Sequence, residues 1–83
     1  MTREEVLVIV RGIFENDFQV HPEQFSWEER LENLHEDFKI LVYLVFMEQV
    51  LEKRFGQKIP LLEEISASIH TPEDLVQLIM KKL

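Results

Sequence analysis

The side chains of this chain that could take part in chemistry are concentrated in one short acidic segment. Glu32 and His35 have the Glu-x-x-His spacing that places two metal ligands on one face of a helix in di-iron bundles. A di-iron centre needs two pairs of this kind and two further carboxylates, and the chain holds only this pair. Because Glu28, Glu29 and Glu36 surround the pair, we interpret the segment as a solvated charged face.

Residues for other kinds of catalysis are missing or scattered. The chain has no cysteine, which excludes disulfides, a thiolate nucleophile and thiolate metal ligands. His21 precedes a proline and His70 precedes a threonine that can cap a helix, so both are interpreted as loop residues. No Ser-His-Asp set and no Gly-rich phosphate loop can be assembled. We therefore predict that the protein is not an enzyme and holds no metal or cofactor.

Composition predicts one small acidic domain. The 83 residues are 46% hydrophobic, which suits a single domain over residues 1–83 with one core. The formal net charge of -7 argues against nucleic acid as a partner, because it repels phosphates. The acidic surface either keeps the domain soluble or suits a basic partner. The acidic start at Met1 to Glu5, and an apolar run, Ile40 to Met47, that is too short for a bilayer, predict no membrane insertion and a cytoplasmic protein.

The hydrophobic spacing predicts three main helices and one short one. The first runs from about Arg3 to Asp17, after a capping box at Thr2. The longest runs from Asp37, a good N-cap, to Phe55, with Gly56 as the left-handed C′ residue.

The last helix begins at Thr71 and Pro72, which suit the N-cap and N1 positions. Leu61 to Ile65 predicts one short helical turn, and a further Ser-x-x-Glu pattern at Ser26 opens a brief helix or an ordered loop. No segment alternates like a strand, so we predict an all-α fold.

Several segments match acyl carrier proteins in order and spacing. They are Val20-His21-Pro22-Glu23-Gln24-Phe25-Ser26, Leu31-x-x-Leu34, Phe55-Gly56-Gln57-Lys58-Ile59-Pro60 and Ile69-His70-Thr71-Pro72-Glu73-Asp74-Leu75. On these segments the chain resembles the phosphopantetheine carrier domains of fatty-acid and polyketide synthesis. The resemblance implies an acyl-carrier-protein-like bundle of three main helices plus one short helix. It also implies docking on partner enzymes through the start of the long helix.

The chain departs from that family at the residue that carries the prosthetic group. Carrier domains attach 4′-phosphopantetheine to the serine of an Asp-Ser-Leu motif at the start of the long helix. Here Phe38 follows Asp37, and an alignment counted back from Phe55 places Leu41 at that position. Neither side chain can be modified. The serines at 26, 66 and 68 lie elsewhere, so we predict a degenerate carrier fold without the arm.

The first half of the long helix is predicted to be apolar all round. At ~100° per residue, one arc is predicted to face the core: Ile40, Leu44, Met47, Leu51 and Phe55. The opposite arc supplies the predicted partner-binding residues: Phe38, Leu41, Val42, Val45 and Phe46. A second apolar face must be covered by something. The alternatives are the preceding loop (Phe25, Trp27 and Leu31), a protein partner or second copy, or a bound apolar ligand.

These observations favour a noncatalytic binding module that docks on an enzyme of acyl or polyketide metabolism through this helix. An acidic inhibitor or immunity-type helical protein that binds a basic partner is a second hypothesis. A third is a carrier with an unrecognised attachment residue.

Overall fold

All regular elements are helical in the computed structural model, which describes residues 1–65 and 67–83, and no strand occurs among these residues. Helix α1 (Arg3–Gly12) is followed by α2 (Leu31–Leu34), α3 (Leu41–Phe55), α4 (Leu61–Glu64) and α5 (Pro72–Lys82). The predicted all-α bundle of three longer helices is confirmed. The described residues contain two short α-helices, α2 and α4, where the predicted bundle has one. The second arises because the stretch after Ser26 contains one helical turn, α2.

Helix α1 begins with the predicted capping box and ends in a wider turn. The Thr2 hydroxyl accepts from the Glu5 N–H, and the Thr2 N–H donates back to the Glu5 carboxylate. The Thr2 backbone N–H, as the main cause, and the Thr2 hydroxyl both donate to the Glu5 carboxylate and lower the pKa of Glu5. Ile13–Asp17 continues the helix as a π-helical turn, which the Phe18 N–H closes on the Ile13 carbonyl at 3.2 Å.

The long loop after α1 is held against the bundle by its own aromatic residues and backbone. The Leu31 N–H donates to the His70 carbonyl at 2.9 Å, and the Glu73 N–H donates to the Trp27 carbonyl at 3.0 Å. These two hydrogen bonds therefore hold the loop and α2 against the start of α5. The predicted cap at Ser26 closes only a turn, since its hydroxyl accepts from the Glu28 N–H and the helix begins later, at Leu31.

The predicted start of the long helix is wrong. Glu36–Lys39 forms a 3-10 turn, Ile40 is extended (φ -111, ψ 122), and α3 begins at Leu41 instead of Asp37. On one continuous helix Phe38 would lie about 180° from Met47. Both residues are buried. The break at Ile40 removes this conflict, because it lets the two side chains reach the same core.

The remaining helix ends follow the sequence. Gly56 adopts the left-handed conformation (φ 69, ψ 19) after Phe55, as predicted. Thr71 caps α5 through a hydroxyl that accepts from the Asp74 N–H at 3.1 Å, and Pro72 is the first residue of that helix.

The core lies between α1, α3 and α5 and under the loop. Its fully buried larger side chains are Phe14, Ile13, Met47, Leu51, Ile59, Leu61, Leu75, Ile79, Val6, Val10, Val20 and Val76. No buried side-chain nitrogen or oxygen lacks a hydrogen-bond partner among the described residues. The interior is therefore apolar and offers no internal polar site in this part of the chain.

Candidate interaction surface

A cluster of large apolar side chains is exposed at the start of α3. Leu41 is 68% exposed and Val42 is 65% exposed, and three neighbours are exposed by 40% or more: Ile40, Tyr43 and Phe46. We call these five residues the α3 patch. They surround the start of α3, with Leu41 and Tyr43 about 160° apart around the helix. Together they expose roughly 500 Å² of apolar area, and patches of about that size on monomers are often functional.

The structure divides the five predicted partner-binding residues. Leu41, Val42 and Phe46 belong to the α3 patch, and Val45 beside them is half-buried. Phe38 does not belong to the patch, because the 3-10 turn directs it inward and leaves it only 7% exposed. The prediction that Phe38 shares an outer surface with Val42 is therefore wrong.

Two members of the patch were not predicted. Ile40 was assigned to the core-facing arc, but the helix has not yet begun there and the side chain is exposed. Tyr43 lies about 40° from buried Met47, on the edge of the core face. Arg54 is exposed and lies on the same side of α3 as Tyr43. A charged residue at that position indicates, from the sequence, that this side of the helix borders solvent.

The aromatic residues of the preceding loop pack over the end of α1 and not over the patch. Phe25 lies with its ring centroid 5.5 Å from Phe14 and 4.9 Å from Trp27, and Phe14 lies 5.3 Å from Phe38. These rings close over the end of α1. Since Val42 stays largely exposed, the loop does not provide the cover that its aromatic residues suggested in the sequence.

Phe18 connects the patch to this aromatic cluster. Its ring centroid lies 4.9 Å from Phe38 and 5.5 Å from Phe46. The π-helical turn brings Phe18 to this position directly after α1. Single π-helical turns inside helices often occur at functional sites. The inner edge of Phe46 is thus supported by packing, while its outer part is exposed.

A shallow groove of about 370 Å³ continues the patch along α3. Phe46 and Val50 contribute apolar surface to the groove. Arg54 lies across it, 3.9 Å from the Asp17 carboxylate at the end of the π-helical turn. Lys53 and Gln49 complete its lining. Its apolar floor and polar edge resemble the core and rim of a protein interface.

Charged residues are distributed unevenly along this surface. Glu36 and Lys39 are exposed before the patch, and Lys53 and Arg54 are exposed after it. Residues 40–47 carry no charge. Glu48 at the far edge is used internally, since its carboxylate accepts from the Leu62 N–H at 3.2 Å. The surface is therefore an apolar centre between two charged ends.

The carboxylates of Glu29 and Glu32 in the acidic segment are held by local hydrogen bonds. Glu32 accepts from the Arg30 guanidinium at 2.8 Å, and Glu29 accepts from the Asn33 amide at 3.2 Å. Among the described side chains, which do not include those of Asp37 and Ser66, no three of His, Asp or Glu come together as metal ligands. The segment is an exposed charged face with local hydrogen bonds.

The serines of the chain lie away from the start of α3. The Ser26 hydroxyl closes a turn, and the Ser68 hydroxyl donates to the Glu64 carbonyl and carboxylate after α4. Ser66 lies outside the described residues. The positions that the carrier resemblance assigns to the attachment serine are a buried Phe38 and an exposed Leu41, neither of which has a hydroxyl group.

No helix in the described part of the chain has the length and apolar character required to span a bilayer. Comparison of the sequence with protein-family models, with curated proteins and with solved structures yields no match. The site is therefore characterised by its own geometry.

Proposed function

We propose that this protein is a noncatalytic binding module that docks on another protein through the α3 patch. The observation that carries the proposal is the exposure of five large apolar side chains around the start of α3, beside a core that is already filled. Apolar patches of this size are often functional, and a partner that covers one removes apolar area from water.

A protein partner fits the shape of the surface better than a small apolar ligand does. Sites for small molecules are concave and bury most of the ligand. The α3 patch lies on the outer side of a helix, and its groove is shallow and open along one side. A flat or helical partner surface can cover such a patch, whereas a single acyl chain on it would keep much of its area in water.

The resemblance to acyl carrier proteins suggests the class of partner. Carrier domains meet their enzymes at the start of the equivalent helix, so the proposed partner is an enzyme of acyl or polyketide metabolism. No phosphopantetheine arm takes part, because neither Phe38 nor Leu41 can accept one. Incubation with coenzyme A and a broad-specificity phosphopantetheinyl transferase should leave the mass unchanged. A mass gain equal to the arm, mapped to a serine, would restore the hypothesis of an active carrier.

A second candidate is an acidic inhibitor that binds a basic protein, and the net charge of -7 favours it. Binding of that kind relies on long-range attraction and weakens steeply with salt. Docking through an apolar patch depends on buried area and is less sensitive to salt. The salt dependence of any complex that is isolated therefore separates the two candidates.

Site-specific photo-crosslinking tests the proposed function directly. A photoreactive phenylalanine analogue is placed at Val42, or at the exposed control position Gln77 on α5, and the protein is irradiated in its native cells. We expect discrete protein adducts from position 42 and none from position 77. Thermal melts of both variants should match the wild type. Equal labelling from both positions, or no adduct from position 42, would refute the docking surface.

A further inference from the structure

The start of α3 is the place where local sequence signals and tertiary packing disagree. Asp37 is a good N-cap residue, and the apolar spacing predicts one helix from there to Phe55. The structure instead ends a 3-10 turn at Lys39, extends the backbone at Ile40 and begins α3 at Leu41. Conflicts of this kind between local preference and the fold are expected at functional or strained sites.

The break leaves Ile40 in an unfavourable position. Its apolar side chain is 46% exposed, although on a continuous helix it would lie about 20° from buried Met47, on the core side. It occupies the N-cap position of α3 but has no side-chain oxygen to accept from the first N–H groups. Among the described residues no carbonyl accepts from the N–H of Leu41 or Val42. The break therefore leaves both apolar surface and helical hydrogen bonds unused.

The side chain of Phe38 accounts for the break. It is only 7% exposed, and its ring centroid lies 5.3 Å from Phe14 and 4.9 Å from Phe18. On a continuous helix the same ring would lie about 180° from Met47, in solvent. The two side chains therefore compete, because the broken start buries Phe38 and exposes Ile40, whereas a continuous start buries Ile40 and exposes Phe38.

We infer that the start of α3 is a conformational latch with two positions, and that the chain exchanges between them in solution. In the major position Phe38 is in the core and Ile40 is outside, as in the observed fold. In the minor position α3 begins directly after Asp37, Ile40 faces the core and Phe38 is outside. The ring buries more apolar area than the isoleucine does and has its two aromatic contacts only in the first position. The first position is therefore the more populated one.

Local interactions favour the minor position and keep the difference between the two small. The continuous helix gains hydrogen bonds from the Leu41 and Val42 N–H groups to the carbonyls of Asp37 and Phe38. It also gains an acidic N-cap residue, whereas the broken helix has no side-chain cap. These gains offset part of the lost ring contacts, so we expect a minor population on the order of 1%. Register changes of a helix occur in microseconds to milliseconds.

The latch changes the surface that a partner meets. In the minor position Phe38 lies about 40° from Val42 and about 20° from Val45, so the three form a straight apolar seam at i, i+4 and i+7. Helices that dock in a groove of another protein present anchors with this spacing. Only this consequence rests on the proposed function, since the exchange itself belongs to the isolated chain. A partner that binds the seam draws the latch to its minor position.

Carbon-13 saturation-transfer NMR on the purified, isotope-labelled protein detects a minor state of this size. We expect exchange at residues 38–42 and at the rings that touch Phe38, with the minor-state Cα shifts of Lys39 and Ile40 moved toward helical values. The absence of a minor state in this segment overturns the inference. A minor state with random-coil shifts also overturns it, because the segment then unfolds locally instead of forming helix.

Leu41→Pro should lock the latch in its major position. Proline is favoured at the first position of a helix, and it disfavours the helical conformation of the preceding residue, which is Ile40. Leu41 is 68% exposed and its N–H donates to no carbonyl of the described residues, so the replacement removes little packing and no backbone hydrogen bond there. We expect loss of the exchange with an unchanged or higher melting temperature. The control Leu41→Ala should keep the exchange, and exchange that persists in Leu41→Pro overturns the latch.

Two further variants shift the population in opposite directions. Ile40→Asp caps the broken helix and places a carboxylate on the core side of the continuous one, so the exchange should disappear without a proline. Phe38→Leu loses the ring contacts with Phe14 and Phe18 and should raise the minor population about five- to tenfold. A minor population that Ile40→Asp does not lower, or that Phe38→Leu does not raise, overturns the latch.

The NMR measurements on the isolated chain and the crosslinking at position 42 can fail independently. Exchange without adducts from position 42 supports the latch and refutes the docking surface. Adducts without exchange support the docking surface and overturn the latch.

Discussion

Helices α3 and α5 use their apolar residues in different ways. Helix α5 has 11 residues and buries five of them: Pro72, Leu75, Val76, Leu78 and Ile79. Helix α3 has 15 residues, ten of them apolar, and buries only Met47 and Leu51. Helix α5 thus carries little more apolar surface than one core needs, whereas α3 carries more than its own domain can cover.

The two helices also begin differently. A capping box fixes the start of α5 at Thr71, whereas α3 begins after extended Ile40, which has no side-chain cap. Local hydrogen bonding therefore determines the position of α5. The position of α3 depends on packing, above all on the burial of Phe38 before it. A helix whose start is determined by packing and not by its own capping residues can leave apolar side chains exposed. Contacts elsewhere in the domain then decide which side of the helix faces the core.

The largest effect is expected at Phe38, where packing sets the start of α3. Phe38→Ala removes a ring that lies against Phe14 and Phe18 and should cost about 3 to 4 kcal/mol of unfolding free energy. Urea denaturation measures this loss. A loss below about 1 kcal/mol would mean that Phe38 lies on the surface, as a continuous helix would place it.

A comparison of α5 with α3 should give the next largest difference. Ile79→Ala leaves a cavity in the core and should cost about 3 kcal/mol. Val42→Ala removes a side chain that is already in water and should change stability by less than about 0.5 kcal/mol. Both values come from urea denaturation at one low protein concentration. Equal losses in the two variants would contradict the contrast between the helices.

The cap of α5 should contribute a smaller amount. Thr71→Ala leaves the Asp74 N–H without its acceptor and should cost about 1 kcal/mol. The control Thr71→Ser keeps the hydroxyl and should stay close to the wild type. Thermal melts of the three proteins make the comparison, and an unchanged alanine variant would mean that tertiary packing alone fixes the start of α5.

Adding a cap at the uncapped start of α3 should raise stability, whereas removing the cap of α5 should lower it. Ile40 already has the extended backbone of an N-cap residue. Ile40→Asp adds a carboxylate beside the first N–H groups of α3 and should stabilise the monomer by about 0.5 to 1 kcal/mol. Ile40→Ala is the control without an acceptor. Destabilisation by aspartate would show that Ile40 packs against the domain in solution.

Most of the helical elements could be predicted from the sequence because their signals are local. The capping residues Thr2 and Thr71, and the left-handed Gly56, act on their own neighbours. The alternation of apolar and polar residues on α5 likewise fixes its buried face. Such features depend on hydrogen bonds and backbone preferences within a few residues. They can therefore be recognised from the residue types in the sequence.

The α3 patch could be predicted only in part. The excess of apolar residues on α3 indicated an uncovered face, and Leu41, Val42 and Phe46 are indeed exposed. The sequence could not reveal that Phe38 turns inward, because the reason lies in the rings of Phe14 and Phe18, more than 15 residues away in the chain.

The sequence by itself determined the number of main helices, most of their ends and the surplus of apolar residues on α3. Local hydrogen bonding and helical periodicity are sufficient for these features. Tertiary structure alone decided where α3 begins and which of its residues face solvent. The physical reason is that Phe38 and Met47 lie on opposite sides of any continuous helix, so burying both requires a break, and the break at Ile40 leaves the next turn exposed.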